Sequence, residues 1–312
     1  MATRKKISVA LRRASGAACL AFILSSCGGE GPVDPIQHPG NFNRAMRSGG
    51  LDRVYDVHVP ATVDPSQPSP LVILLHGVPR LSGMAVITGF DEVADRFGYV
   101  VAYPRAFQTL DWNVGCEICS SAAIDGVDDV RFIRDLIDDL AAQLAINRSR
   151  VYVAGFSQGA LMTHFLGCEL ANEIAAFGSV AATMIDEVEE TCSPSRAAPW
   201  LFIQGTEDAE FPWEGRVGEL SSTVSARATV ATWAGLNGCS ANPAVTELPD
   251  TEDDGTTVTL EEYRSCSGGA ELDFYIVNGG GHTWPDAPVE FGSTKSLEIN
   301  ASELLAEFFS GH

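Results

Sequence analysis

Basic residues are scarce in this chain of 312 residues: 20 Lys and Arg stand against 41 Asp and Glu, a net charge of −21. Nucleic-acid binders displace counterions with a basic face, so DNA and RNA are excluded as expected partners. Long apolar runs are also lacking. The most extended one near the N-terminus, Ala17 to Leu24, is well short of the ~20 apolar residues that span a bilayer. Internal repeats are absent, and 30 Gly and 16 Pro are close to average usage, which excludes collagen-like and long disordered classes. What remains is an acidic globular protein, long enough to bury a core without a metal or staple.

The basic residues that exist are concentrated at the start. Arg4, Lys5, Lys6, Arg12 and Arg13 precede the apolar run, and no acid occurs before Cys27. A basic segment followed by a short apolar one reads as an export signal over 1–26. Leu24-Ser25-Ser26-Cys27 resembles a bacterial lipobox, which makes Cys27 the expected lipidated residue; ordinary cleavage with Cys27 a chance residue is the alternative. Residues 27–44, Gly- and Pro-rich at first and without periodicity, read as a flexible tether to a single domain over 45–312. Contact with a membrane is expected only through that lipid, at the cell envelope or outside the cell.

Beyond Cys19 and Cys27 six cysteines remain: Cys116, Cys119, Cys168, Cys192, Cys239 and Cys266. An even number in an exported chain favours disulfides, and six cysteines allow about 15 pairings that sequence order cannot decide. Pairing of neighbours is the preferred arrangement. Cys116 and Cys119 also have the spacing of half a zinc site, but no second such pair or nearby histidine completes it, so no metal is expected.

Apolar patterning alternates strand and helix. Val54 to Val59 reads as an edge strand. Leu71 to Leu75 and Tyr99 to Tyr103 read as strands buried on two faces, with a helix over Phe90–Phe97 between them. Asp125 to Leu144 carries Val130, Ile133, Leu136, Ile137, Leu140 and Leu144 on one helical stripe. Asp125, Asp128 and Asp129 crowd its start, where the helix dipole favours negative charge. Further strands are expected at Arg150–Ala154, Phe177–Ala181, Trp200–Gln204, Val258–Tyr263 and Leu272–Val277, with helices over Gly159–Leu170, 221–236 and 294–309. This alternation implies one α/β domain with a mostly parallel sheet covered by helices on both faces.

Chemistry concentrates in Gly155-Phe156-Ser157-Gln158-Gly159, which stands between an expected strand and helix, the setting of a nucleophile elbow. A serine needs a base. Downstream of Ser157 only His164, His282 and His312 qualify. His164 falls two turns into the following helix and reads as a core histidine, and His312 is terminal and reads as frayed. His282, in Gly279-Gly280-Gly281-His282-Thr283-Trp284-Pro285 after a strand, is the expected base. Asp208 closely follows a buried strand and is the expected acid; Asp186 is the alternative, while Asp250, Asp253 and Asp254 read as solvated. Glu207 should point elsewhere. The oxyanion donors are expected to be the N–H groups of Gln158 and of Val78, since Pro79 has none. His76 reads as a loop-shaping residue. Trp112, Trp213 and Trp284 are candidates for an aromatic substrate wall, with simple packing as the alternative for each.

His76-Gly77, Gly-Phe-Ser-Gln-Gly, Gly205-Thr206-Glu207-Asp208 and Gly-Gly-Gly-His-Thr-Trp-Pro together resemble the polyhydroxybutyrate depolymerase and feruloyl esterase family, over about residues 45–310. Asp125-Gly126-Val127-Asp128-Asp129-Val130 and Asn237-Gly238-Cys239, with a later Cys266 as partner, match that pattern too. The resemblance implies an α/β-hydrolase fold and a Ser157–His282–Asp208 triad without a cofactor. It implies serine ester hydrolysis of hydroxyalkanoate oligomers or feruloyl and aryl esters. An acetyl esterase on polysaccharide and a catalytically silent surface lipoprotein are the alternatives. Two positions depart from the family. Many members carry His where this chain has Gln204, and the loop after Gly77, here Val78-Pro79-Arg80-Leu81, is usually richer in small polar residues.

Overall fold

The apolar runs that read as doubly buried strands form the middle of a single ten-stranded sheet in the computed structural model, which describes residues 36–312 apart from 65, 79–82, 109–110 and 219–221. The expected signal segment, Cys27 and the tether up to residue 35 lie outside the described residues. Strands β3 (Ser69–Leu75), β4 (Val100–Pro104), β6 (Ala176–Val180) and β7 (Trp200–Gly205) are buried along their whole length. So is the second half of β5 (Ile146–Phe156). Together with β10 (Leu272–Asn278) they run parallel in the order β4-β3-β5-β6-β7-β10. Val, Ile, Leu and Phe on both sides of each strand are what a sheet covered on two faces requires.

Antiparallel strands extend both ends of the sheet. β2 (Leu51–Val59) pairs with β4, and β1 (Gly40–Ser48) pairs with β2 across Gly49-Gly50. The segment read as an edge strand is therefore one strand in from the edge. β1 begins at Gly40, inside the segment read as a tether, and Ile36 before it is buried in the core. At the other end β10 is followed outward by β9 (Thr257–Tyr263) and β8 (Ala244–Glu247), the latter exposed throughout. β8 escaped the reading because it has no buried face to impose alternation, and β1 because only Phe42 and Met46 on its half-buried inner face are large apolar residues.

Helices cover both faces. α4 (Asp129–Gln143), α5 (Gln158–Glu169) and α7 (Ala226–Leu236) pack Phe132, Leu136, Leu166 and Trp233 onto one side. α1 (Met84–Thr88), α2 (Phe90–Phe97) and α8 (Ala301–Ser310) pack Phe90, Leu305 and Phe309 onto the other. The short α3 (Ser121–Ile124) and α6 (Asp186–Thr191) lie in connections. Caps explain where the helices start. Asp128 accepts from Arg131 N at 2.9 Å, so α4 begins at Asp129, four residues after the expected start at Asp125. Asn300 accepts from Glu303 N at 2.9 Å and starts α8. His312 is not frayed: it stacks edge-on against Phe308, with Nε2 3.3 Å from Glu271.

The cysteines pair as neighbours: Cys116–Cys119, Cys168–Cys192 and Cys239–Cys266. Cys239–Cys266 closes a sequence separation of 27 and fastens the end of α7 to the turn after β9. Replacing both cysteines by serine is expected to lower unfolding free energy by about 2–3 kcal/mol, read by urea denaturation.

Candidate active site

Strand order sets the site. β5, β6, β7 and β10 are successive neighbours, so the turns after β5, β7 and β10 open at the same carboxyl edge of the sheet. Ser157 follows β5, Asp208 follows β7 and His282 follows β10.

At the first turn the chain passes from β5 into α5 through Ser157 alone, at φ 57° and ψ −124°. The turn is possible only because two neighbours lack side chains. A Cβ on Gly155 would lie 2.1 Å from the Gly159 carbonyl oxygen, and one on Gly159 2.2 Å from that of Leu75. The glycines on either side of the serine are thus steric demands of β3, β5 and α5 meeting closely. Ser157 N donates to Val180 O at 3.0 Å, which holds the strained residue against β6.

The other two turns are knitted together. Thr206 N donates to Val277 O, Glu207 N donates to Gly280 O, and Gly279 N donates to Thr206 Oγ1, at 3.0, 2.9 and 2.9 Å. Residues 74 and 125 apart in sequence therefore meet: His282 Nδ1 lies 2.9 Å from Asp208 Oδ2, and His282 Nε2 lies 2.9 Å from Ser157 Oγ. A carboxylate only accepts, so Nδ1 carries the proton and Nε2 is left to accept from the serine hydroxyl. The Asp208 side chain is fully buried, and Oδ1 accepts from Glu210 N at 2.9 Å and Phe211 N at 2.8 Å. Glu207 is exposed. Asp186 stands at the start of α6, Asp254 accepts from Thr256 N and Leu297 N, and Asp273 pairs with Arg264, so none of these is the imidazole's partner.

His164 behaves as a core residue. It is stacked among Trp200, Phe202 and Trp233 and accepts at Nδ1 from Trp233 Nε1 at 3.0 Å. Burial pushes its pKa down to about 3, so it stays neutral. His76 is buried in the loop after β3, where Nε2 accepts from Ala106 N at 3.1 Å. That loop is pressed onto Ser157: a Cβ on Gly77 would lie 2.8 Å from Ser157 Cβ. It continues into the exposed Val78.

The tryptophans depart from expectation. Trp112 and Trp284 are fully buried and offer no face to a ligand. Trp112 instead holds the site: its N donates to Gln158 Oε1 and its Nε1 to His76 O, both at 2.9 Å. Trp284 donates to Ser302 Oγ at 3.1 Å and meets Phe156 edge-on, which anchors the His282 loop to α8. Trp213 is half-buried, stacked on Phe274 beneath Arg227. The aromatic rings that do reach the imidazole are Phe156 and Phe211, with centroids 5.1 and 5.7 Å from that of His282. Phe156, inside the elbow pentapeptide, could have been singled out; nothing local marks Phe211.

The fold is that of the α/β-hydrolases, and Ser157, His282 and Asp208 form one hydrogen-bonded array at its carboxyl edge. Residues 54–197 match the model of the esterase family described as esterase PHB depolymerase. Feruloyl esterase B of Piromyces equi is 30% identical over 195 residues, 60% of this chain and 34% of that protein. The bifunctional acetylxylan esterase/xylanase XynS20E of Neocallimastix patriciarum is 26% identical over 283 residues, 80% of this chain and 39% of that protein. The chain thus spans well under half the length of either relative. Among solved structures, acetyl xylan esterase from Aspergillus awamori has a TM-score of 0.58 at 15% identity, covering 88% of this chain and 100% of that one, a likeness of fold.

Proposed function

We infer that the protein hydrolyses carboxylic esters through an acyl-enzyme on Ser157. The unbroken relay from Ser157 Oγ through His282 to buried Asp208 carries this reading. His282 Nε2 takes the serine proton as Oγ attacks the ester carbonyl, Asp208 steadies the imidazolium, and the alcohol leaves with that proton. Water, deprotonated by the same nitrogen, then frees the acid. The N–H groups of Gln158, at the start of α5, and of Val78 are the donors for the oxyanion. The first N–H groups of a helix have no intrahelical acceptor, which suits Gln158 to that task. No step calls for a metal or cofactor.

The family and the relatives' names favour feruloyl or other aryl esters, hydroxyalkanoate oligomers and acetylated polysaccharide as substrates. Three disulfides suit an exported protein, and an anchor at Cys27 is part of this proposal. The test is a fluorophosphonate probe beside p-nitrophenyl acetate. One label per chain on the peptide containing Ser157, with turnover blocked in step, is expected. A folded protein that takes neither label nor ester would sink the reading in favour of a silent binding lipoprotein. Hydroxybutyrate trimer, methyl ferulate and acetylated xylan then rank the substrates.

A further inference from the structure

We propose that Gln204 is a positioning residue of this site, fixing the carboxylate of Asp208 and, through it, the imidazole of His282; the proposal rests on the serine-hydrolase reading above. Gln204 stands near the end of β7, four residues before Asp208, with only 3% of its surface exposed. Its Nε2 donates to Asp208 Oδ2 at 3.3 Å, the same oxygen that accepts from His282, and to Phe211 O at 3.0 Å. The Gly205 carbonyl lies 3.5 Å away on the same side. Three acceptors around one nitrogen leave the amide a single orientation, because the flipped form would set oxygen against oxygen.

Two consequences follow from that placement. Asp208 Oδ1 is held by two backbone N–H groups, whereas Oδ2 has no backbone donor among the described residues, so Gln204 supplies its only hydrogen bond besides His282. The bond to Phe211 O fixes the turn whose ring packs on the imidazole, so one amide secures two sides of His282. The opposite end of the side chain argues that stability is not the reason for glutamine. Gln204 Oε1 is buried with no hydrogen-bond partner among the described residues. An apolar side chain of similar length would fill the space without leaving that oxygen unmatched. A residue that burdens the fold yet aims its one useful group at the acid is placed for the reaction.

Gln204→Met keeps the length and removes the donor. Its kcat for p-nitrophenyl acetate is expected to fall about 10- to 100-fold with KM within two-fold of the wild type, since the lost contact orients the imidazole and does not touch the ester. Without the donor, Asp208 presents more of its charge to the imidazolium, so the acid limb of the kcat/KM profile should move up by about half a pH unit. Gln204→His, which restores a ring N–H at similar reach, should recover at least half of the loss on a logarithmic scale. An unchanged pH limb and kcat in folded Gln204→Met would overturn the proposal. Should that variant not fold, Gln204→Asn carries the test, because it keeps a buried amide but draws the donor back by one methylene from Asp208 Oδ2, and the acid limb should move up in the same direction; an unmoved limb overturns the proposal equally. The two readings fail differently. A wild type that neither labels nor turns over overturns both, whereas an active wild type with a normal Gln204→Met overturns this one alone.

Discussion

Ser157→Ala is expected to lower kcat by about 10⁵- to 10⁶-fold while the protein still folds and still binds substrate. In the proposed mechanism the size follows from losing the nucleophile itself: His282 then has no hydroxyl to activate, and what survives is whatever the proposed oxyanion donors do for attack by water. Stability should separate chemistry from backbone strain at this position. Ser157 lies at φ 57°, a conformation that any residue with a Cβ adopts at a cost. Alanine inherits that cost and glycine does not. Ser157→Gly should therefore be as inactive as Ser157→Ala but more stable than it by about 1 kcal/mol, compared by urea denaturation. Equal stability of the two variants would show that the elbow stores no strain at the serine.

The second large effect is expected far from the serine in sequence and comes from charge. Arg53 and Asp129 form an ion pair at 2.6 Å with almost no solvent exposure, and the guanidinium lies over the Phe132 ring at 3.7 Å. Burial lowers the Arg53 pKa and raises that of Asp129, each against the attraction of its partner. Desolvation thus outweighs pairing for both groups, which marks a pair that is costly to bury and costlier to break. Arg53→Met should destabilise the protein by about 3–5 kcal/mol, because a carboxylate is left buried without its counter-charge. Asp129→Asn in the same chain should return part of this, since the amide oxygen can still accept from Asn113 N, as Asp129 Oδ2 does at 2.8 Å.

The pH dependence has a definite sign. Asp129 has its folded pKa raised above the unfolded value, so the native state binds more protons between the two values and stability rises as pH falls through that window. Removing Arg53 removes the opposing attraction and widens the window upward. Arg53→Met should be less destabilised at pH 5 than at pH 8, measured by urea denaturation at each pH. A penalty that does not change with pH would mean that Asp129 is already neutral in the variant or has found water.

How much of this was legible beforehand differs from residue to residue. Ser157 and His282 stand out because their chemistry needs an unusual local backbone, and glycine is how a chain writes that need: Gly155 and Gly159 about the serine, Gly279 to Gly281 before the histidine. The parallel core was equally plain, since strands covered on both faces must be apolar without interruption. Asp208 was reached by exclusion among aspartates rather than by any signal of its own, and the structure sets it 2.9 Å from His282. β1 left no trace because a half-exposed strand carrying Asn41, Asn43, Arg44 and Arg47 has no continuous face to bury.

The tryptophans and the charged pair show the limit. Trp112, Trp213 and Trp284 look alike in sequence, each in a loop beside the expected site. Yet Trp112 ends up as the clamp between His76 and Gln158, Trp284 as an anchor to α8, and Trp213 against Phe274. Arg53 and Asp129 are 76 residues apart; Asp129 reads as a helix-start acid, and nothing in the sequence marks Arg53 as its partner. By itself the sequence determined the strand and helix order, the nucleophile elbow and the histidine loop, because each is a short-range demand on backbone geometry or burial. Only the tertiary structure decided which acid faces His282, that Gln204 holds that acid and that the tryptophans turn inward. Those outcomes depend on which loops the strand order brings together, and hydrogen bonds and desolvation act across space without regard to distance along the chain.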